Sequence, residues 1–344
     1  MSRSKNRLVA DWFAKIRANA NTGEVEHADV ADMDLSVKAD TTYVDSAVAN
    51  LSTSFSGLSD TTVSTSDPTI TSNPTNTGHL WLNKTSGEIF VCYDTTTNAN
   101  EWKNVGLGTN NVKAVPIATG GEIQTHGAYK SHTFTSSGTL TVTQGGTASI
   151  LLVAGGGGGS QDNAGGGGAG GMITLASYDI TPGSYSITIG GGGAKAYQSG
   201  GYSGSNTSGF GYTAIAGGGG GGSAGGSGLN GGSGGGGGGG RSAGSGTSGQ
   251  GHNGASCGGY AGGGGAGSAG GCSSGGGGLY NAYRTGNNVG YAGGGGNPGA
   301  TGYGGGNYGN HGSSNTGGGG GPYNGGWGGA GNGGSGIVVI RYET

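Results

Sequence analysis

Charge is scarce in this chain. Asp, Glu, Lys and Arg make up 9% of its 344 residues, and the net charge is -3. Between residues 155 and 336 the charged side chains are Asp162, Asp179, Lys195, Arg241 and Arg284 alone. Phosphate binding needs clustered Lys and Arg, so no nucleic-acid partner is expected. Long apolar runs are missing too: nothing approaches the roughly 20 residues of a membrane span. The opening "MSRSKNRLVADWFAKIR" has basic residues but neither a continuous apolar core nor a small-residue cleavage site, so no secretory signal is expected. Six prolines and no Gly-X-Y period exclude collagen.

Motifs that carry chemistry are equally thin. Three cysteines, Cys92, Cys257 and Cys272, form no CxxC pair. Cys257 and Cys272 either bridge two glycine-rich loops or stay unpaired, and the redox compartment is left open. The six histidines show no HxH or HExxH spacing, and His126 and His132, near strands, read as ordinary residues. G-x-G-x-x-G recurs by composition alone, without the strand, helix and downstream acid of a dinucleotide fold, and G-x-x-x-x-G-K-[ST] does not occur. The acid pair of a glycosidase would have to come from Asp162 and Asp179, which read as loop aspartates. No catalytic residue, metal or cofactor is therefore expected.

What the chain has in abundance is glycine. Of 95 glycines, 12 precede Gly155 and the other 83 lie in Gly155–Gly336. Glycine loses the most backbone freedom on folding and buries no side chain, so such a region is either a tether or a structure made of backbone. Flexible linkers are poor in aromatics. Residues 155–336 hold fourteen, and these sit between the glycine runs rather than inside them. That segregation favours order.

Five regions follow along the chain. Residues 1–34 carry most of the charge, and Leu8, Trp12, Phe13 and Ile16 make an amphipathic helix that either caps its own chain or anchors on another protein. Residues 35–66 hold Val37, Val44, Val48, Leu51, Phe55 and Leu58 at spacings of a heptad seam, which predicts a short coiled coil, such as a trimer, over a solitary helix. Prolines in 65–78 then break any helix, and "HLWLN", "EIFVCYD" and "EWKNVG" predict a small β module within 67–110, held by Trp81, Phe90, Tyr93 and Trp102. Residues 111–130 read as a linker. Residues 131–344 open on the strands "HTFT", "TLTVT" and "SILLVA", continue with "MITLASYDITPGSYSITI", and end on "GIVVIRY". Ile150–Val153 and Ile337–Ile340 are expected to share one sheet.

For the glycine runs, the geometry that fits is the extended helix with three residues per turn, whose N–H and C=O groups point outward to parallel neighbours. Only a residue without Cβ lets six neighbours approach. Central runs should then be pure glycine, and the innermost candidates are 217–222 and 234–240, represented by Gly217, Gly220, Gly222, Gly234, Gly237 and Gly240. The fold class expected is mainly β and irregular: a short N-terminal helix and coiled coil, a small β module, and a β-framed polyglycine II sandwich.

Glycine runs alternating with Tyr/Ser/Asn loops resemble the glycine-rich adhesins at the tips of T-even phage tail fibres. "SILLVAGGGGGSQDNAGGGGAGG" and "GGSGIVVIRY" are similar to glycine-rich domains of phage fibre proteins, and "GHLWLNKTSGEIFVCYD...EWKNVG" to a small module repeated in tail-fibre chains. "SRSKNRLVADWFAKIRANANTGEVEHADV" resembles the start of structural proteins from T4-like phages of marine bacteria, cyanophages included. The tip adhesins cap a fibre as separate proteins, whereas this chain carries its own anchor-like start. The resemblance implies a virion protein made in the host cytoplasm. It would be held to other virion proteins by its N-terminus and oligomerised near 37–58. Its partner would be a bacterial surface polysaccharide or outer-membrane receptor.

The loop chemistry agrees, because Tyr with Ser, Gly and Asn gives large amphipathic contact at low entropy cost. Candidate receptor-binding residues are Tyr280, Tyr283, Arg284, Asn287 and Tyr291 in "LYNAYRTGNNVGY", with Tyr303, Tyr308, Asn310 and His311 in "NPGATGYGGGNYGNHGSSN". Tyr323 and Trp327 follow them. About half of the tyrosines are expected to pack over the glycine layers instead, Tyr178 and Tyr185 first among them. The alternative role is a purely structural fibre or capsid decoration without receptor binding, and a depolymerase is the more distant rival.

Overall fold

Alternation of apolar and polar side chains governs the first folded unit. The computed structural model describes residues 60–105, 114–224, 226–323 and 329–344. The expected anchor helix, the coiled-coil seam from Val37 to Leu58, and Trp327 lie outside the described residues. Strands β1 (Thr61–Ser64), β2 (Leu80–Asn83), β3 (Ile89–Asp94) and β4 (Glu101–Asn104) form one sheet in that order. β1 pairs parallel to β2 and the other pairs are antiparallel. β1 occupies the end of the stretch assigned to the coiled coil. Phe90, Cys92 and Trp102 are fully buried, and Trp81 packs edge-on against Trp102 at 5.7 Å between centroids. Tyr93 does not join this core. The two-residue period that turns Phe90 and Cys92 inward sends it outward, leaving it 56% exposed.

The next strands arise earlier than the sequence suggested. The stretch read as a linker contains β5 (Ile117–Thr119) and β6 (Glu122–His126), joined by Gly120 and Gly121 at φ 111° and 67°. A Cβ on Gly120 would overlap the carbonyl oxygen of Thr139, so this tight turn needs glycine. After them come β7 (Tyr129–Phe134), β8 (Gly138–Gln144), β9 (Gly146–Val153), β10 (Met172–Ile180) and β11 (Gly183–Ile187). Short hairpins β12 (Thr207–Gly209) with β13 (Tyr212–Ala214), and β14 (Leu279–Asn281) with β15 (Val289–Tyr291), precede the last strand, β16 (Ile337–Glu343). A five-stranded sheet runs β10-β9-β16-β7-β6, and a three-stranded sheet runs β11-β8-β5. Among the described residues there is no α-helix, only a 3-10 turn at Thr301–Tyr303.

β9 and β16 are central neighbours, with Ile340 opposite Ile150 and Ile337 opposite Val153. Their unbroken apolar runs have a simple cause: both faces are covered. Ile150, Leu152, Val338 and Ile340 face the other sheet, in a core with Phe134, Leu140, Ile187 and Phe210. Leu151, Val153, Ile337 and Val339 face the opposite way, against Met172, Tyr291 and Ala292. His132 is buried in the first region, its Nδ1 2.7 Å from the Gly120 carbonyl and its Nε2 2.8 Å from the Tyr342 hydroxyl.

Beyond the sheets, hydrogen bonds between glycine runs replace strand pairing. In 155–160 the N–H groups of Gly155 and Gly158 donate to Ser205 and Tyr202. Those of Gly156 and Gly159 donate to Gly334 and Gly331, and those of Gly157 and Ser160 to Gly168 and Gly165. The carbonyls of the same three pairs accept from Gly217 and Gly220, from Gly193 and Ala196, and from Gly320 and Tyr323. Every third residue meets the same neighbour, which is the repeat of an extended helix with three residues per turn. Six segments surround this one: three antiparallel, to which it donates, and three parallel, from which it accepts. The run 165–171 is enclosed in the same way, by 154–160, 215–221, 233–236, 261–264, Gly295 and 317–320.

Side-chain volume is what this packing excludes. A Cβ on Gly157 would overlap the Gly218 carbonyl, and one on Gly167 the Gly157 carbonyl. Gly217, Gly220, Gly222, Gly234 and Gly237 are buried inside the array. Gly240 is not: it sits in an exposed turn at φ 79°. The runs 155–160 and 165–171 are as enclosed as the two expected to be innermost, and they are not pure glycine. Ala154, Ala169 and Ala292 are fully buried where the array abuts the apolar cores, whose side chains leave room for a methyl group.

Two outcomes test this architecture. Gly167→Ala should lower unfolding stability by more than about 3 kcal/mol, since the clash is with fixed backbone. Gly258→Ala, whose Cβ meets nothing within 4 Å, should be nearly neutral in the same urea titration. Equal effects would refute the close-packed array. The second concerns pH. Burial holds the His132 imidazole below its ordinary range, while the Gly120 hydrogen bond acts the other way. The unfolded chain takes up this proton below about pH 6.5 and the native state does so later. Stability should therefore be full above that pH and fall below it, and His132→Phe should flatten this part of the melting profile.

Candidate binding faces at the two ends of the domain

The course of the chain defines two ends. β9 delivers it into 155–160 and β10 receives it from 165–171, so the turn 161–164 lies at the end remote from the sheets. Segments 193–196, 217–220 and 320–323 run parallel to 155–160, which carries Tyr197–Gly200, Ser223–Ala224 and Tyr323 to that same end. Backbone hydrogen bonds knit the turns together. Asp162 N–H donates to Tyr323, Gly239 N–H to Asn163, Ala224 N–H to Gln198, and Gly240 N–H to Cys257. Asp162, Asn163 and Gln198 all adopt positive φ, between 51° and 60°, and the Gln198 amide donates to Asp162 Oδ2 at 3.0 Å.

This remote turn face gathers aromatic side chains. Tyr308 stands 5.9 Å from Tyr260 and 5.0 Å from Tyr323 between ring centroids, and all three are half-buried. Gly309, at φ 74°, lies beneath the Tyr323 ring. Tyr197 and Tyr202, each 63% exposed, flank the turn at 197–200. Asn310 and His311 are exposed, yet both also serve the scaffold: the Asn310 carbonyl accepts from Gly321 N–H, and His311 Nδ1 accepts from Asn332 N–H. Cys257 and Cys272 form a disulfide, with Cα atoms 5.4 Å apart. Closing a 15-residue separation contributes about 3 kcal/mol in the chain-entropy account.

The other candidate residues sit at the sheet end. Tyr280 is 57% exposed and lies 4.8 Å from Tyr303, and its neighbouring hydroxyl pushes the Tyr303 phenol up. Tyr283 is half-buried, with Arg341 stacked on its ring at 4.3 Å; the same guanidinium lies 4.3 Å from the Tyr129 ring. Arg284 contributes its carbonyl, which accepts from Ser131 Oγ at 3.0 Å and lies 3.2 Å from His126 Nε2. Tyr291 is fully buried in the second core, and burial pushes its phenol up. Tyr283, Arg284 and Tyr291 are thus built into the fold, Tyr303 is half-buried over Gly278 and Gly293, and Tyr280 and Asn287 remain exposed. Asp162 and Asp179 lie at opposite ends, one in a remote turn and one in β10, so they form no acid pair.

Sequence reasoning chose the loops by richness in tyrosine and missed which end each loop reaches. Tyr197, Tyr202 and Tyr260 were not selected, although each lies beside a turn between glycine runs. The parity of the runs was the available signal: successive turns alternate between the two ends.

The architecture is that of a mainly β, glycine-rich domain in which two sheets close one end of a backbone array. Residues 131–343 match the glycine-rich domain family, more than half of the chain, and the protein belongs to that family. No curated protein matches the chain. The division of roles among the tyrosines is measurable. Tyr283→Ala should cost about 2 kcal/mol of stability, losing both core packing and the Arg341 contact. Tyr280→Ala should stay within about 0.5 kcal/mol in the same unfolding assay, and equal losses would contradict the assignment.

Proposed function

We propose that this protein is a phage virion fibre or adhesin in which a polyglycine II sandwich displays a tyrosine-rich turn face to a bacterial surface polysaccharide. The N-terminal region holds it to other virion proteins and assembles it as a homo-oligomer. The observation that carries the reading is the clustering of Tyr260, Tyr308 and Tyr323 at the end remote from the sheets. β5 and β16 bring both the entry and the exit of the domain to the sheet end, opposite the aromatic turns. An array with no room for side chains suits this role, because it fixes the turns without using them for packing. The rings offer amphipathic contact, and Asn163, Gln198, Asn310 and Ser223 offer adaptable hydrogen bonds beside them.

Binding to intact host cells tests the proposal. The double variant Tyr260→Ala, Tyr308→Ala should weaken adsorption roughly tenfold to a hundredfold, the sum of two aromatic contacts. Tyr280→Ala should leave adsorption unchanged. Normal adsorption of the double variant on intact particles would sink the adhesin reading and favour a structural fibre or decoration.

A further inference from the structure

A second aromatic surface lies at the sheet end, on the side of the three-stranded sheet. The β12–β13 hairpin extends that sheet through a bridge between Thr188 and Ser208, with reciprocal N–H···O bonds of 2.9 Å. Its two-residue turn, Phe210–Gly211, has φ values of 56° and 78°, the double positive that hairpin twist requires. Asparagine or glycine ordinarily fills the first of these positions. Phenylalanine is strained there, and burial offsets the strain: Phe210 is 8% exposed and stacks on Tyr185 at 5.0 Å. Tyr185 is committed as well, its hydroxyl donating to the Thr181 carbonyl at 2.9 Å. These two rings form a fixed floor.

Packing does not account for what stands on that floor. Tyr212 is 41% exposed and meets Tyr178 at 6.4 Å, with the ring planes 75° apart. Tyr178 in turn contacts Phe210 at 5.7 Å. Together they border a cleft of about 670 Å³, whose remaining lining is hydroxyl-bearing: Ser184, Ser186, Thr188, Ser208 and Thr213. Among the described residues none of these five hydroxyls has a hydrogen-bond partner, in contrast to that of Tyr185. No charged side chain lines the cleft. An aromatic surface rimmed by uncommitted hydroxyls complements a ring with one C–H face and an equatorial hydroxyl edge. The absence of charge selects a neutral ring over an anionic one, because no cationic side chain lines the cleft to pair with a carboxylate.

We infer that the cleft between Tyr178, Tyr212 and β11 binds a neutral pyranose unit of a saccharide, at a site separate from the remote turn face. The cleft would hold glycan at the end that the aromatic turns do not reach.

Saturation-transfer NMR and calorimetry on the full-length chain, with methyl glycosides of glucose, galactose and mannose and with free glucuronate, test the inference. At least one neutral glycoside should bind saturably. Tyr212→Ala should weaken it roughly tenfold, the loss of one aromatic contact, while Tyr212→Phe retains it. Ser186→Trp, at an exposed position that fills the cleft, should abolish it and so covers the case in which Tyr212→Ala perturbs the hairpin. Tyr308→Ala, on the remote face, should leave it intact. Absence of binding by every neutral glycoside, binding that survives Ser186→Trp, or glucuronate bound as tightly as the best glycoside would each overturn the assignment. Because adsorption of the Tyr260, Tyr308 variant is read separately, failure here leaves the turn-face proposal standing, and the reverse holds.

Discussion

A hydrogen atom in place of a side chain is the condition on which the rest of this domain depends. Six backbone segments approach 155–160 closely enough to exchange N–H···O bonds of 2.8 to 3.2 Å. In a sheet each strand has two hydrogen-bonding neighbours and side chains fill the space above and below. Here the hydrogen bonds radiate around the axis, and a Cβ added anywhere from Gly155 to Gly159 would overlap a neighbouring backbone. The hydrophobic effect enters only at the edges of the array, where Val153, Met172, Ile337 and Tyr291 close its base.

That arrangement separates stability from display more sharply than a sandwich of strands does. In a conventional sandwich alternate residues of every strand are committed to the core. In the glycine array the interior is backbone, and the bulky residues between the runs are released to its two ends. Some of them return to structural work. The β14–β15 hairpin folds back over β16, with Tyr283 against Arg341 and Arg284 tied to β7, so it covers an apolar face that would otherwise be open. Others, such as Tyr197 and Tyr202, have no such task among the described residues.

Much of this plan could be read from the sequence. The matching runs "ILLV" and "IVVI" are adjacent strands because a run apolar on both faces must be covered on both. The segregation of glycine from tyrosine pointed to an ordered array for the same kind of reason. Other features were hidden for identifiable causes. β5 and β6 are three and five residues long with largely exposed side chains, so they carry little apolar signal. The burial of Ala169 and Ala292 depends on contact with cores assembled from distant strands. Tyr93 and Cys92 exchange roles through a parity that one bulge in β3 against β4 can alter. The end to which each tyrosine is carried depends on counting run reversals, which local composition does not encode.

The threefold repeat also sets a rule for how such a sequence can change. Within 155–160 a donor returns to the same neighbour every three residues. Inserting one glycine rotates all later N–H groups by a third of a turn, away from the segments they served. Inserting three restores the facing and lengthens the run by about 9 Å. The turns obey no such count. Runs therefore behave like a reading frame, intolerant of single-residue insertions and tolerant of triplets. Side chains beside the runs mark the frame, among them Ala154 beside β9, Ala292 after β15, and Asn230 and Asn253, whose side chains accept from Ser245 and Gly246 N–H.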